Sequence, residues 1–318
     1  MIKQPTCLVS GGAGFIGSHL CEELLNRKYK VICVDNLLTG SKNNIAHLLE
    51  NPDFTFIEHD ITNPLPIANS QSPIANYIYH LASPASPPKY QKFSRQTLLV
   101  NSQGTYHLLQ LALSHKSKFL LASTSEVYGD PLSHPQKETY WGNVNPVGLR
   151  SCYDESKRFA EALTMDFIRN DDLDGRIVRI FNTYGPRMDK EDGRVVSNFI
   201  NQSLEGKPLT VYGQGTQTRS LCFVDDMVEG LISACEKQNT NKEVINLGNP
   251  DEKTILYIAH IIISLTHSKS EIIFHPLPSD DPERRKPDIT KAQKLLNWSP
   301  KTELEKGLIA TIDYYSHI

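Results

Sequence analysis

Three glycines spaced three apart, Gly11, Gly14 and Gly17, sit between the apolar run Cys7-Leu8-Val9 and a helical pattern over 18–25. No other feature constrains the fold of this 318-residue chain as tightly. A glycine cluster alone is a flexible turn. Placed after a strand and at the mouth of a helix, it lets backbone N–H groups approach a diphosphate, and the helix N-terminus adds partial positive charge. The next apolar run, Val31-Ile32-Cys33-Val34, ends at Asp35. An acid at that distance from the glycines meets the adenosine ribose hydroxyls and repels a 2′-phosphate, so the pattern points to NAD over NADP. Asp60, at the end of the following strand, is read as an adenine contact, the alternative being a turn acid that caps the next element. Phe15, Ile16, Asn36, Ile61, Leu81, Ala82 and Ser123 accompany these motifs and complete the expected cofactor set. Asn101 falls inside an expected helix, where asparagine is a poor helix former, and is read as a structural bridge near the cofactor.

Short β-rich runs alternate with helical stretches through the first half. Strands are expected over 54–57, 77–81, 119–122 and 176–180, with helices over 97–114 and 153–168. Such alternation builds an α/β fold, a Rossmann-type doubly wound parallel sheet with ligands at the carboxyl ends of its strands. Beyond Phe181 the pattern loosens into Gly/Pro-punctuated segments, among them Tyr184-Gly185-Pro186 and Val211-Tyr212-Gly213. The expected division is a dinucleotide domain over 1–182, with a return of the chain near 219–248, and a smaller C-terminal substrate-binding lobe over most of 183–318.

Composition excludes several alternatives. The chain is 39% hydrophobic and 22% charged, with a formal charge of -3, which gives no electrostatic case for nucleic acid or an anionic membrane as partner. Its six cysteines are scattered without metal-ligand spacing and read as reduced core thiols, so no metal site is expected. No apolar run approaches the roughly 20 residues a membrane span requires. The N-terminus runs straight into a strand without a signal-peptide layout, and the cytoplasm is the expected location.

Tyr153 and Lys157 are four residues apart, on one helix face. A nearby ammonium lowers a phenol's pKa, so the tyrosine can act as a general base near neutral pH, and the lysine can also hold the nicotinamide ribose. Upstream, Ser123-Thr124-Ser125-Glu126-Val127-Tyr128-Gly129 follows a buried strand, and a hydroxyl there can share a proton with Tyr153. Together with the early glycines, this resembles the extended short-chain dehydrogenase/reductases over essentially the whole chain. The segments beginning at His80, Ser123, Tyr140, Arg179 and Asp192 resemble the UDP-glucuronate decarboxylase family more narrowly: His80-Leu81-Ala82-Ser83-Pro84-Ala85-Ser86-Pro87-Pro88, Tyr140-Trp141-Gly142-Asn143-Val144-Asn145-Pro146 and Arg179-Ile180-Phe181-Asn182-Thr183-Tyr184-Gly185-Pro186-Arg187-Met188 are long consecutive matches. Variation is expected at Ser83 and over 89–94.

That resemblance implies a recycled NAD, UDP-glucuronate as substrate, UDP-xylose as product and a homodimer formed through the helices over 101–114 and 153–168; some relatives carry a membrane anchor before the catalytic domain, and none is expected here. It implies that Tyr153, helped by Lys157 and Thr124 or Ser125, takes the C4 hydroxyl proton. Glu126 stands where related dehydratases carry an Asp-Glu pair. Here Ser125 replaces the acid that protonates a departing hydroxyl, which disfavours dehydration. Glu126 is expected either to handle the C5 proton or to press the substrate carboxylate out of a comfortable ground state. Arg219 and Arg285 are forked donors suited to phosphate, with Arg285 placed at the diphosphate or at the sugar carboxylate, while Arg284 and Lys286 read as a solvated face. Asn182, Arg187, Asn198, Thr210 and Tyr212 complete the implied substrate set, the amides of 209–212 reading uracil. Releasing the keto-pentose with NADH, or 4-epimerising, are the competing outcomes.

Overall fold

A computed structural model describes residues 4–66, 74–276 and 285–318. The central sheet begins with β1 (Thr6–Ser10), β2 (Lys30–Asp35), β3 (Phe54–Glu58), β4 (Tyr77–His80), β5 (Lys118–Thr124) and β6 (Gly175–Ile180). The chain then passes through the short strands β7 (Thr183–Tyr184), β8 (Leu209–Tyr212), β9 (Thr218–Ser220) and β10 (Cys222–Phe223) before returning to the sheet as β11 (Val244–Leu247). The seven strands lie in the order β11-β6-β5-β4-β1-β2-β3, all parallel. Strand order reverses between β1 and β4, which opens a crevice at their carboxyl ends.

Side-chain alternation explains why both sheet faces carry helices. Cys7 and Val9 of β1 pack into one core while Leu8 packs into the other, and in β5 Leu120 opposes Phe119 and Leu121. The first core receives α1 (Phe15–Asn26). The other face is covered through α2 (Pro87–Lys92), α3 (Ser94–Leu99), α4 (Thr105–His115) and α5 (Ser151–Asn170). In the second half α6 (Val195–Leu204), α7 (Val224–Glu236), α8 (Ile255–Leu265), α9 (Thr290–Leu296) and α10 (Leu304–Ser316) follow, with β12 (Glu252–Thr254) paired to β9 and β13 (Ile272–His275) paired to β8. Leu20 and Leu24 of α1, Val228 and Leu231 of α7, Phe199 and Ile200 of α6, Val211 of β8 and Ile258 of α8 belong to one continuous buried cluster.

The helix expected over 97–114 is interrupted. A wide turn at Val100–Gly104 separates α3 from α4. Asn101, fully buried, donates there to the hydroxyls of Ser83 and Ser156, both at 3.0 Å, and Thr105 Oγ1 donates to its carbonyl. Helix α1 also begins earlier than the sequence pattern suggested, because Phe15 already has helical partners and Gly17 lies inside the first turn.

Candidate active site

The carboxyl ends of β1, β2, β4, β5 and β6 open into a cleft of about 1110 Å³ whose far wall is the second lobe. Gly11 has φ +77°, and a Cβ there would stand 2.6 Å from the Ala82 nitrogen, so the turn after β1 can only press against the end of β4 as glycine. A Cβ on Gly17 would overlap the Gly11 carbonyl oxygen. Helix α1 carries no side-chain cap at Gly14 and no acid in its first turn, which leaves its N-terminus facing the cleft as an anion site. Gly17→Ala is expected to weaken NAD binding roughly ten- to a hundredfold, from an overpacking cost of about 1–3 kcal/mol. Calorimetric titration with NAD checks this; unchanged affinity would remove the diphosphate from this turn.

Asp35 is buried, and its two oxygens accept from the amides of Leu37 at 2.8 Å and Ala13 at 3.0 Å. Burial pushes its pKa up and those amides pull it back. The carboxylate is thereby fixed at the cleft wall, with lone pairs left for hydroxyl donors, and its charge opposes a phosphate. Asp60 does what the alternative reading gave it. It accepts from the Thr62 amide and hydroxyl and from Asn36 Nδ2; burial raises its pKa, but those bonds outweigh burial and hold it low. It still lines the cleft beside Ile61, as do Phe15, Ile16, Asn36, Leu81 and Ala82. Asn101 does not line the cleft; it supports the floor from behind through Ser83 and Ser156.

At the centre, α5 delivers Tyr153 and Lys157 beneath the end of β5. Lys157 is 2% exposed and donates to the Ala122 carbonyl at 2.8 Å, with its Nζ 6.0 Å from the Tyr153 ring centroid. Burial lowers its pKa to about 7, opposed by Glu161. The Tyr153 phenol is raised by burial, opposed by a hydrogen bond with Thr124 and by Arg194 and Arg150. The expectation that Lys157 lowers this phenol is corrected: burial acts on both groups and the lysine is itself driven toward neutrality. Ser123 donates to Glu161 Oε1 at 2.6 Å, and Ser125 is buried at the cleft wall.

The next residue, Glu126, is gripped from both sides. Arg150 pairs with its Oε2 and Arg285 with its Oε1. Arg285 is 4% exposed, donates to the Gly129 carbonyl at 2.9 Å and keeps a buried Nε without a partner; burial lowers its pKa to about 10. This places Arg285 beside the Ser125-Glu126 step. Two neighbours went unassigned in the sequence. Arg150 lies one turn before Tyr153, and Tyr90, inside the stretch expected to vary, stacks on Tyr153 with ring centroids 5.0 Å apart and planes at 4°. No local pattern flags either residue.

Asn182, just past β6, and Arg219 of β9 line the same cleft, and the second lobe contributes Asn198, Thr210 and Tyr212 to it. Tyr212 is 43% exposed, so it is not core packing. The uracil-reading role expected of the amides over 209–212 is corrected at two positions: the Leu209 amide donates to Glu271 and the Thr210 amide to Gln202 Oε1. Arg187 reaches the cleft edge, but its guanidinium pairs with Glu22 of α1 and clamps the lobe to that helix. Lys286 pairs with Glu252 at 3.7 Å, and Arg284 lies outside the described residues.

The NAD dependent epimerase/dehydratase family model matches residues 7–248. UDP-glucuronic acid decarboxylase 1 of Arabidopsis thaliana is 51% identical over 306 residues, covering 96% of this chain and 68% of that protein, so the chain spans about two thirds of its relative's length. UDP-glucuronic acid decarboxylase 1 of Danio rerio is 51% identical over 310 residues, covering 97% of this chain and 72% of that protein. Among solved structures, UDP-glucuronic acid 4-epimerase from Bacillus cereus, in complex with UDP-glucuronic acid and NAD, superposes with a TM-score of 0.89 at 33% identity, covering 98% of this chain and 99% of that one.

Proposed function

The chain belongs to the NAD-dependent epimerase/dehydratase family, and from that premise we propose that it is a UDP-glucuronate decarboxylase that releases UDP-xylose. The observation that carries this reading is the Glu126 clamp. Two guanidiniums and a carboxylate meet two residues from Thr124, whose hydroxyl is hydrogen-bonded with Tyr153, a place for a sugar's C6 carboxylate when its C4 hydroxyl is presented to the phenol. The uncapped α1 N-terminus and the Asp35 carboxylate fit NAD, which when bound supplies the hydride acceptor, and later the donor, at C4.

The residues act as follows. Burial keeps the Tyr153 phenol protonated, so as it takes the C4 hydroxyl proton along its contact with Thr124 it gives up its own proton to Lys157, whose amine burial brings to about 7 and which becomes the ammonium. With C4 a ketone, the C5–C6 bond is β to a carbonyl. Its electrons pass to the C4 oxygen as carbon dioxide leaves, and hydroxyl donors at Thr124, Ser125 and Tyr153 stabilise that oxyanion. A proton then replaces carbon dioxide at C5. Because both oxygens of Glu126 are taken by guanidiniums, its role is electrostatic pressure on the substrate carboxylate rather than proton delivery. Exposed apolar side chains on α3, α4 and α5, Leu98, Tyr106 and Phe159, support a homodimer through these helices, and six buried free thiols support a reducing compartment such as the cytoplasm.

Incubation with UDP-glucuronate and NAD, read by mass spectrometry, proton NMR and NADH absorbance, tests the reading. UDP-xylose with little NADH is expected. A keto-pentose with matching NADH would mean that the last reduction fails, and UDP-galacturonate would make the chain an epimerase.

A further inference from the structure

The first turn of α5 holds a carboxylate that the chemistry above leaves unused. Asp154, next to Tyr153, is 6% exposed, and its Oδ1 is buried with no hydrogen-bond partner. Its ion-pair partner is Arg150, whose Nε stands 3.8 Å from Oδ2, beyond hydrogen-bond reach. The same guanidinium grips Glu126. One arginine at the cleft wall is therefore claimed by two carboxylates, one in each direction, while Arg285 holds the other oxygen of Glu126. A substrate carboxylate arriving here is a third claimant for two cations.

We propose that Asp154 is a positioning residue for decarboxylation: its charge restrains Arg150 from closing on the substrate carboxylate, which is left under-neutralised beside Glu126. This rests on the decarboxylase reading. A guanidinium seated on the C6 carboxylate stabilises the bound acid but loses its partner as the charge moves to the C4 oxygen, so such a grip favours the ground state and slows the step. Asp154 opposes that grip from a buried position, where charge acts strongly.

The restraint depends on ionisation. Burial pushes the Asp154 carboxyl up to about 6, with Arg150 pulling it back and Glu155 adding to the rise. Above that pH the residue is charged and holds Arg150; as pH falls through about 6 it takes a proton, Arg150 is released, and the rate drops. The elements around this turn bring few other charges. On α5 they are Arg150, Glu155, the Tyr153 phenol and the Cys152 thiol, and on Ser125–Tyr128 they are Glu126 and the Tyr128 phenol. From α2 come the Tyr90 phenol, Lys89, which pairs with Asp189 at 3.0 Å, and exposed Lys92; from α3 comes exposed Arg95.

The test uses the full chain with NAD. Wild type is assayed first on UDP-glucuronate, and if it forms no UDP-xylose the decarboxylase reading fails, and this proposal with it. Given an active wild type, Asp154→Asn should lower kcat roughly tenfold near pH 7.5 without raising KM, and the gap should close below about pH 6. Asp154→Glu, which keeps the charge, should restore the rate and the acid limb. At equilibrium Asp154→Asn should bind UDP-glucuronate more tightly and UDP-xylose, which lacks the carboxylate, as wild type does. Wild-type kcat in Asp154→Asn, or equal losses of affinity for both nucleotides, would overturn the proposal.

Discussion

Tyr153→Phe lowers kcat on UDP-glucuronate by roughly three orders of magnitude, within the range expected for removing a general acid–base group. Tyr153 is 6% exposed and its phenol is hydrogen-bonded with Thr124, and phenylalanine offers the C4 hydroxyl no group that can take its proton. Phenylalanine keeps the ring stacked on Tyr90, and Lys157 keeps its bond to the Ala122 carbonyl, so NAD affinity and Tm should stay near wild type. Initial rates beside a calorimetric NAD titration separate the two effects. A loss below about tenfold would transfer the proton to Thr124 or Ser125.

Glu126→Gln should reduce carbon dioxide release by at least about a hundredfold, the scale seen when one electrostatic group at a reacting centre is removed. Neutralising it leaves Arg150 and Arg285 with one carboxylate fewer, and both turn to the substrate. UDP-glucuronate should then bind more tightly while turning over slowly, the pattern of lost ground-state strain. Breaking a buried pair costs about 3–5 kcal/mol in general; here the low end applies, because Arg150 is 21% exposed and the amide keeps one acceptor. Measured Kd, rate of 14C-labelled carbon dioxide release and Tm read all three consequences. Decarboxylation at the parent rate would end the assignment.

Strand–helix alternation was legible because each element follows from its neighbours in sequence: Leu8 between Cys7 and Val9 already encodes a two-faced strand. The positions of Tyr153 and Lys157 were legible for the same reason, since four residues of helix place them together. What was not legible lies across distance. Nothing near Arg285 announces that it meets Glu126, and nothing in the stretch around Tyr90 announces a ring stacked on Tyr153. The amides at Leu209 and Thr210 looked free on the strand and are not, because Glu271 and Gln202 claim them. Asp60 shows the other side: its position suggested a ligand contact, and in the fold it lines the cleft while also accepting from Thr62 and Asn36.

The buried cluster that runs from α1 through α7 into α6, β8 and α8 joins the sheet and the second lobe by continuous hydrocarbon. Opening the cleft like a book would expose part of that hydrocarbon to water, a cost that opposes a hinge between sheet and lobe. The same continuity ties melting of the sheet to melting of the lobe. A nucleotide sugar held by the lobe and a dinucleotide held by β1 and β2 therefore draw on one unfolding equilibrium, and each raises the temperature at which the whole chain lets go of the other.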